Sequence, residues 1–241
     1  MAALKLKHAL LRGLLAGAVA GLLTGLLALL FAEPTLERAI GLEPAGGGEL
    51  FSRGTQKAGL VLGLVLFGLA LGALYGLAYR VLPSDVRAHP WTRSLALALG
   101  GFTALYLVPF LRYPANPPGV GDEATLDSRT SAYFLCMALG LAVTSGAFAA
   151  SRALARRGLP GWQRQSAVTL AALILVAVAY ALMPAATRLE EIPADLVWDF
   201  RLRSLGLQVA LWGTLGAVFG ALSERADARP TVRSSVLVDA S

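Results

Sequence analysis

The chain has 241 residues, of which 56% are hydrophobic and only 15% charged. Water-soluble domains carry nearer ~25% charged residues, so a soluble globular fold is excluded. The net charge of +6 is scattered over short connecting segments, which excludes the concentrated basic patch that nucleic-acid binding requires, and the single cysteine, Cys136, excludes an internal disulfide.

Six apolar segments follow in chain order, at 9–31, 58–79, 94–111, 131–150, 166–183 and 205–222. Each approaches the ~20 residues that cross a ~30 Å hydrocarbon core. No Asp, Glu, Lys or Arg lies in the middle of any of them, and Arg12 sits near the end of the first, where its stem can snorkel to the interface. The predicted fold class is all-α, a bundle of six transmembrane helices. One transmembrane domain is expected over 1–223, followed by a short polar tail over 224–241 that is expected to be disordered. A cleaved leader in place of the first span is disfavoured, because Leu30 stands where cleavage after Ala32 needs a small residue.

An even number of spans puts both termini on one side. That side holds 13 of the 21 basic residues and four of the 15 acids. Its balance is +9, against −3 on the other side, and the two together make the +6 of the chain. Cytoplasmic loops carry the Lys/Arg excess. The termini are therefore predicted to be cytoplasmic, and the protein a multi-pass protein of the cytoplasmic (inner) membrane.

The first span contains Gly13, Gly17, Gly21 and Gly25, an unbroken series at four-residue spacing. Glycines so placed let another helix backbone approach closely. Packing inside the bundle is the expectation, with docking of a partner helix as the alternative. The second span repeats the pattern with Gly59/Gly63 and Gly68/Gly72/Gly76, and the sixth offers Gly216 and Gly220. Polar residues within the spans are mild, among them Thr24, Thr103, Tyr106, Tyr180 and Gln208. No carboxylate or histidine lies at mid-span, which argues against a proton relay through the membrane centre.

The outer segments, 32–55, 112–130 and 184–204, are longer, acidic and rich in proline. Glu33 and Glu37 flank Pro34 at the spacing that places two carboxylates on one helix face. They are the candidate ligands for a divalent cation, since carboxylate oxygens suit hard and borderline ions. Each helix re-entering the membrane from outside starts with a serine beside an arginine, at Ser52-Arg53, Ser128-Arg129 and Arg203-Ser204. Arg53, Gln56 and Lys57 share one stripe, Arg129 and Tyr133 are four apart, and Arg201, Ser204 and Gln208 share another stripe. Pro109 is expected to kink or end the third span. Zinc-protease, nucleophile-elbow and phosphate-loop motifs are all missing, so no enzyme is expected.

The stretches FSRGTQKAG (51–59), VPFLRYPANPPGVGDEATLDSRTSAYF (108–134) and IPADLVWDFRLRSLGLQ (192–208), with the glycine-rich first span and its Glu33-Pro34 exit, resemble the CbtA family of cobalt transporter subunits. The resemblance covers nearly the whole chain, and YPANPP and SRT are its most specific elements. It implies a divalent-cation uptake subunit acting with CbtB, a small one-span protein with a histidine-rich end. It implies Co²⁺ as transported cargo and no permanently bound cofactor. Carried over by position, the family's recurring polar residues are Glu33, Arg53, Gln56, Lys57, Asn116, Asp122, Arg129, Asp199, Arg201 and Gln208, an outer polar network. One departure is that the first outer loop reads GLEPAGGGEL, without the histidines common in relatives. Two other readings compete with transport. One is a non-transporting scaffold or accessory subunit packed into a larger membrane complex. The other uses the outer arginines to bind anionic lipid headgroups or another anion.

Overall fold

In a lipid core every backbone N–H and C=O must find an internal partner, and a continuous helix supplies one to each. The computed structural model describes residues 2–41, 51–82, 89–117, 126–185 and 192–228. α1 (Ala2–Leu27) passes through a π-turn at Ala28–Ala32 into α2 (Glu33–Ile40), and α3 (Arg53–Val81) returns beside it. α4 (Pro90–Phe102), a second π-turn at Thr103–Leu107 and α5 (Val108–Arg112) make one further rod. α6 (Leu126–Arg156), α7 (Gly161–Leu182) and α8 (Ala194–Asp227) complete the bundle. Six helices are long and apolar enough to cross a membrane, and this is a multi-pass membrane protein.

The closest packing is between α1 and α3. A Cβ on Gly13 would overlap the Gly72 carbonyl, one on Gly17 the Gly68 carbonyl, and one on Gly21 the Leu64 carbonyl. Gly25 lies against Val61, and Gly76 faces the Ala9 carbonyl. Lipid supplies no hydrophobic drive for helix association, so dispersion contacts between close backbones hold this pair. The second-span series divides. Gly68, Gly72 and Gly76 meet α1, whereas Gly59 and Gly63 have nothing within 4 Å of a built Cβ.

α8 packs on the other flank of α1 and also on α4. Their shared core contains Ala16, Ala20, Tyr75, Ala98, Leu211, Trp212, Leu215 and Phe219. Inside it the Tyr75 hydroxyl meets the Ser94 carbonyl at 2.5 Å, and Ser94 Oγ donates to the Gly216 carbonyl at 2.7 Å. Gly216 fits against Ala98, and Gly101 against the Trp212 ring. α6 docks on the second π-turn, where Gly140 faces the Ala104 carbonyl. α7 packs principally on α6 and buries none of its residues within the chain. The α6–α7 turn is closed by Gly158 at φ 78°, with Leu159 N–H reaching the Leu154 carbonyl and Gly158 N–H the Ala155 carbonyl.

The two π-turns share a cause. A proline ring collides with the carbonyl four residues earlier. For Pro34 that carbonyl belongs to Leu30, and for Pro109 to Leu105, each inside its π-turn. Widening the helix by one residue relieves the clash. Glu33 N–H then bonds the Ala28 carbonyl, and Val108 N–H bonds the Thr103 carbonyl.

This corrects three sequence-based boundaries. Helix continues past position 31 to Ile40, it passes through Pro109 to Arg112, and the last helix starts at Ala194, well before 205. In the first and last of these the added helix is amphipathic and lies outside the apolar run, so hydropathy alone draws the helix too short. α8 also continues past the predicted domain boundary at 223, to Asp227, while 229–241 lies outside the described residues.

Candidate functional site

α2, the first turn of α3, α5, and the N-terminal ends of α6 and α8 gather at one end of the bundle, here the acidic end. Helical spacing puts Glu33 and Glu37 on the stripe of α2 that faces α3. Ser52 starts α3 as its N-cap, its Oγ accepting from Thr55 N–H at 3.3 Å. That fixes the first turn and aims Arg53 and Lys57 at α2.

Four charges then alternate. Arg53 Nη2 is 2.6 Å from Glu33 Oε1 and 3.6 Å from Glu37 Oε1. Lys57 Nζ is 3.0 Å from Glu37 Oε1 and 3.6 Å from Glu33 Oε1. Gln56 accepts from Arg53 Nη1 at 2.6 Å and donates to the Phe51 carbonyl at 3.0 Å. Glu33 is only 5% exposed, so its charge depends on these partners. The two candidate cation ligands do converge, but on two protein cations. A divalent ion held there must take the place of Arg53 and Lys57. Among the described residues no group of three or more His, Cys, Asp and Glu is arranged to hold a metal.

The opposite stripe of α2 reverses the polarity. Arg38 donates to Asp195 at 2.8 Å and lies 3.5 Å from Asp199, both on α8. α2 thus offers acids to the bases of α3 and a base to the acids of α8. Arg203 adds a hydrogen bond to the Phe31 carbonyl inside the first π-turn.

The predicted outer polar network is therefore divided. Asp199 belongs with Arg38, away from Arg201. Arg201 donates instead to the Ala115 carbonyl at 3.3 Å and to Asn116 Oδ1 at 3.1 Å. Arg129 and Arg201 lie together on the wall of a cavity of about 470 Å³ that also touches Tyr113, Asn116 and Tyr133. Two turns along α8 from Arg201, Gln208 is half-buried, and Ser204 meets the Tyr106 hydroxyl at 3.0 Å. Asp122 lies outside the described residues. Arg38 and Asp195 were not among the sequence candidates. Reading α2 as helix through residue 40 would have put Arg38 on the stripe opposite the two glutamates.

A family model described as "Probable cobalt transporter subunit (CbtA)" matches residues 6–224, a stretch that takes in five of the membrane helices whole and all but the last three residues of the sixth. The chain belongs to the CbtA family. No curated protein and no solved structure matches it. For a CbtA chain, the glycine-packed α1–α3 pair and the charged cluster it carries form one unit: the backbones that touch along the span hold Glu33 and Arg53 in register at its end.

Proposed function

We propose that this chain is the membrane-embedded subunit of a divalent-metal uptake system, with Co²⁺ as cargo and no resident cofactor. It acts in transport and catalyses no reaction. The family match across all six helices carries this reading. In it, both termini are cytoplasmic and the acidic end faces outward from the cytoplasmic membrane, since the opposite side holds 13 of the 21 basic residues. A small one-span CbtB-like subunit is the partner that completes the path.

Capture begins as a charge exchange. An approaching cation is attracted by the acidic end, and Glu33 and Glu37 pass from Arg53 and Lys57 to the ion. The released cations then repel the metal and favour its onward movement. Two unit charges about 4 Å apart interact by ~4 kcal/mol at the effective dielectric of a protein boundary, enough to bias such an exchange in either direction.

Cobalt uptake by cells carrying the Glu33→Gln/Glu37→Gln double variant tests this. Uptake should fall most at limiting cobalt and recover toward the parent value at saturating metal. Unchanged uptake throughout would remove the glutamates from the path. The second reading, a non-transporting scaffold within a larger membrane complex, is favoured by the completed pairing of these four charges. It predicts that cobalt uptake does not depend on this chain at all.

A further inference from the structure

α7 packs principally on α6 and buries none of its residues, and the two helices do not close on each other along their length. Between them lies an open groove of about 470 Å³. Its walls are small side chains, Ala142, Gly146 and Ala150 on α6 and Ala167 and Ala171 on α7. Every residue lining it is apolar. A Cβ built on Gly146 meets nothing within 4 Å.

The groove spans positions 142–154 of α6, about 18 Å at ~1.5 Å per residue. That is close to the depth of one leaflet of a ~30 Å hydrocarbon core. The volume spread over that length leaves a section of about 26 Å², whereas a helix with its side chains is about 10 Å across. The slot is too narrow to seat a helix and suits an extended hydrocarbon chain.

Both walls lead to arginine. On α6 the stripe of Ala147, Ala150 and Leu154 reaches Arg157 at helical spacing, and the Arg157 N–H still bonds the Ala153 carbonyl. On α7 the stripe of Leu175, Ala171 and Val168 leads back to Arg164. Arg157 is exposed, and Arg164 Nε is buried without a hydrogen-bond partner. Among the described residues neither arginine has a carboxylate in ion-pair range. Trp162, two residues before Arg164, is 71% exposed, the placement of an aromatic anchor at headgroup level. An apolar slot one leaflet deep, with two uncompensated guanidinium groups at its polar end, is complementary to an anionic phospholipid.

We propose that the α6–α7 groove is a binding site for an anionic phospholipid. One acyl chain lies in the slot, and the phosphate meets Arg157 and Arg164. The site is separate from the glutamates of α2 and does not depend on whether metal is moved.

The test uses the full chain in nanodiscs of phosphatidylcholine mixed with phosphatidylglycerol, with retained lipid counted by native mass spectrometry. The parent should retain phosphatidylglycerol in preference to phosphatidylcholine. Arg157→Gln and Arg164→Gln should each reduce that retention about fivefold, the effect of one basic residue beside anionic lipid. Arg80→Gln, an exposed arginine near the end of α3, should leave it unchanged. Gly146→Leu fills the slot and keeps both arginines, and it should also displace the lipid. Gly63→Leu, likewise placed in open space but on α3, should not. Should Arg164→Gln fail to yield folded protein, Arg157→Gln and Gly146→Leu decide the matter. The proposal is overturned if the parent retains both lipids equally, or if the arginine variants or Gly146→Leu retain phosphatidylglycerol like the parent. Added protein mass in place of lipid would assign the groove to a second copy of the chain and would equally overturn it.

Discussion

Glu33 carries its charge at 5% exposure, with Arg53 2.6 Å away and itself about two-thirds buried. Removing one member of a buried pair leaves the other uncompensated, at a cost of about 3 kcal/mol. Arg53→Gln is therefore expected to lower the unfolding midpoint of the solubilised protein clearly. Glu37→Gln, at a side chain 52% exposed, should move it little. Equal effects from the two substitutions would show that Glu33 is solvated and that the cluster has no buried member. The stripe of Arg53, Gln56 and Lys57 and the pair Glu33 and Glu37 are legible in the sequence, because each is a local helical spacing. Their meeting is not, because 20 residues separate Glu33 from Arg53 and nothing in either segment names its partner.

Helices α1 and α3 illustrate what periodicity can and cannot show. Four-residue glycine spacing marks a surface that admits a close neighbour, and Gly13, Gly17 and Gly21 meet backbone atoms of α3 directly. The same spacing at Gly59 and Gly63 opens on empty space. Gly17→Leu is expected to push the two backbones apart and abolish recovery of monodisperse protein, since overpacking a tight contact costs ~1–3 kcal/mol or more. Gly63→Leu should be recovered like the parent. If both variants purify equally well, the α1–α3 contact is not what holds the bundle. Pro109 offers a second contrast. The ring's clash with Leu105 can be foreseen, but whether the helix ends, bends or widens depends on what packs around it. Here α6 presents Gly140 to the Ala104 carbonyl, and the helix widens into a π-turn.

Across the whole molecule, charge is sorted by end. The termini side carries most of the basic residues, and the other end carries the two ion-pair groups on α2. If the basic side is cytoplasmic, Ser84→Cys and Arg157→Cys in intact cells should be shielded from an impermeant thiol reagent. Gly47→Cys and Ala115→Cys should react. Labelling of Ser84→Cys from outside would reverse the orientation and put the glutamates on the cytoplasmic face. α7 packs principally on α6 and buries no residue within the chain, so its apolar surface is left to lipid or to another subunit.

Composition and hydropathy by themselves determined the number of spans and the all-helical class, since a lipid core leaves the backbone no other way to satisfy its hydrogen bonds. Motif content also pointed to the family, through stretches such as YPANPP and SRT that do not depend on packing. Only the tertiary structure decided which charges belong together. Asp199 faces Arg38 and Arg201 faces Asn116, although Asp199 and Arg201 are two residues apart on one helix. Successive helical positions are rotated by about 100°, so side chains two apart face different ways. Which neighbour each one meets is set by how α2 and the 113–116 segment lie against α8, and no local pattern in the chain encodes that.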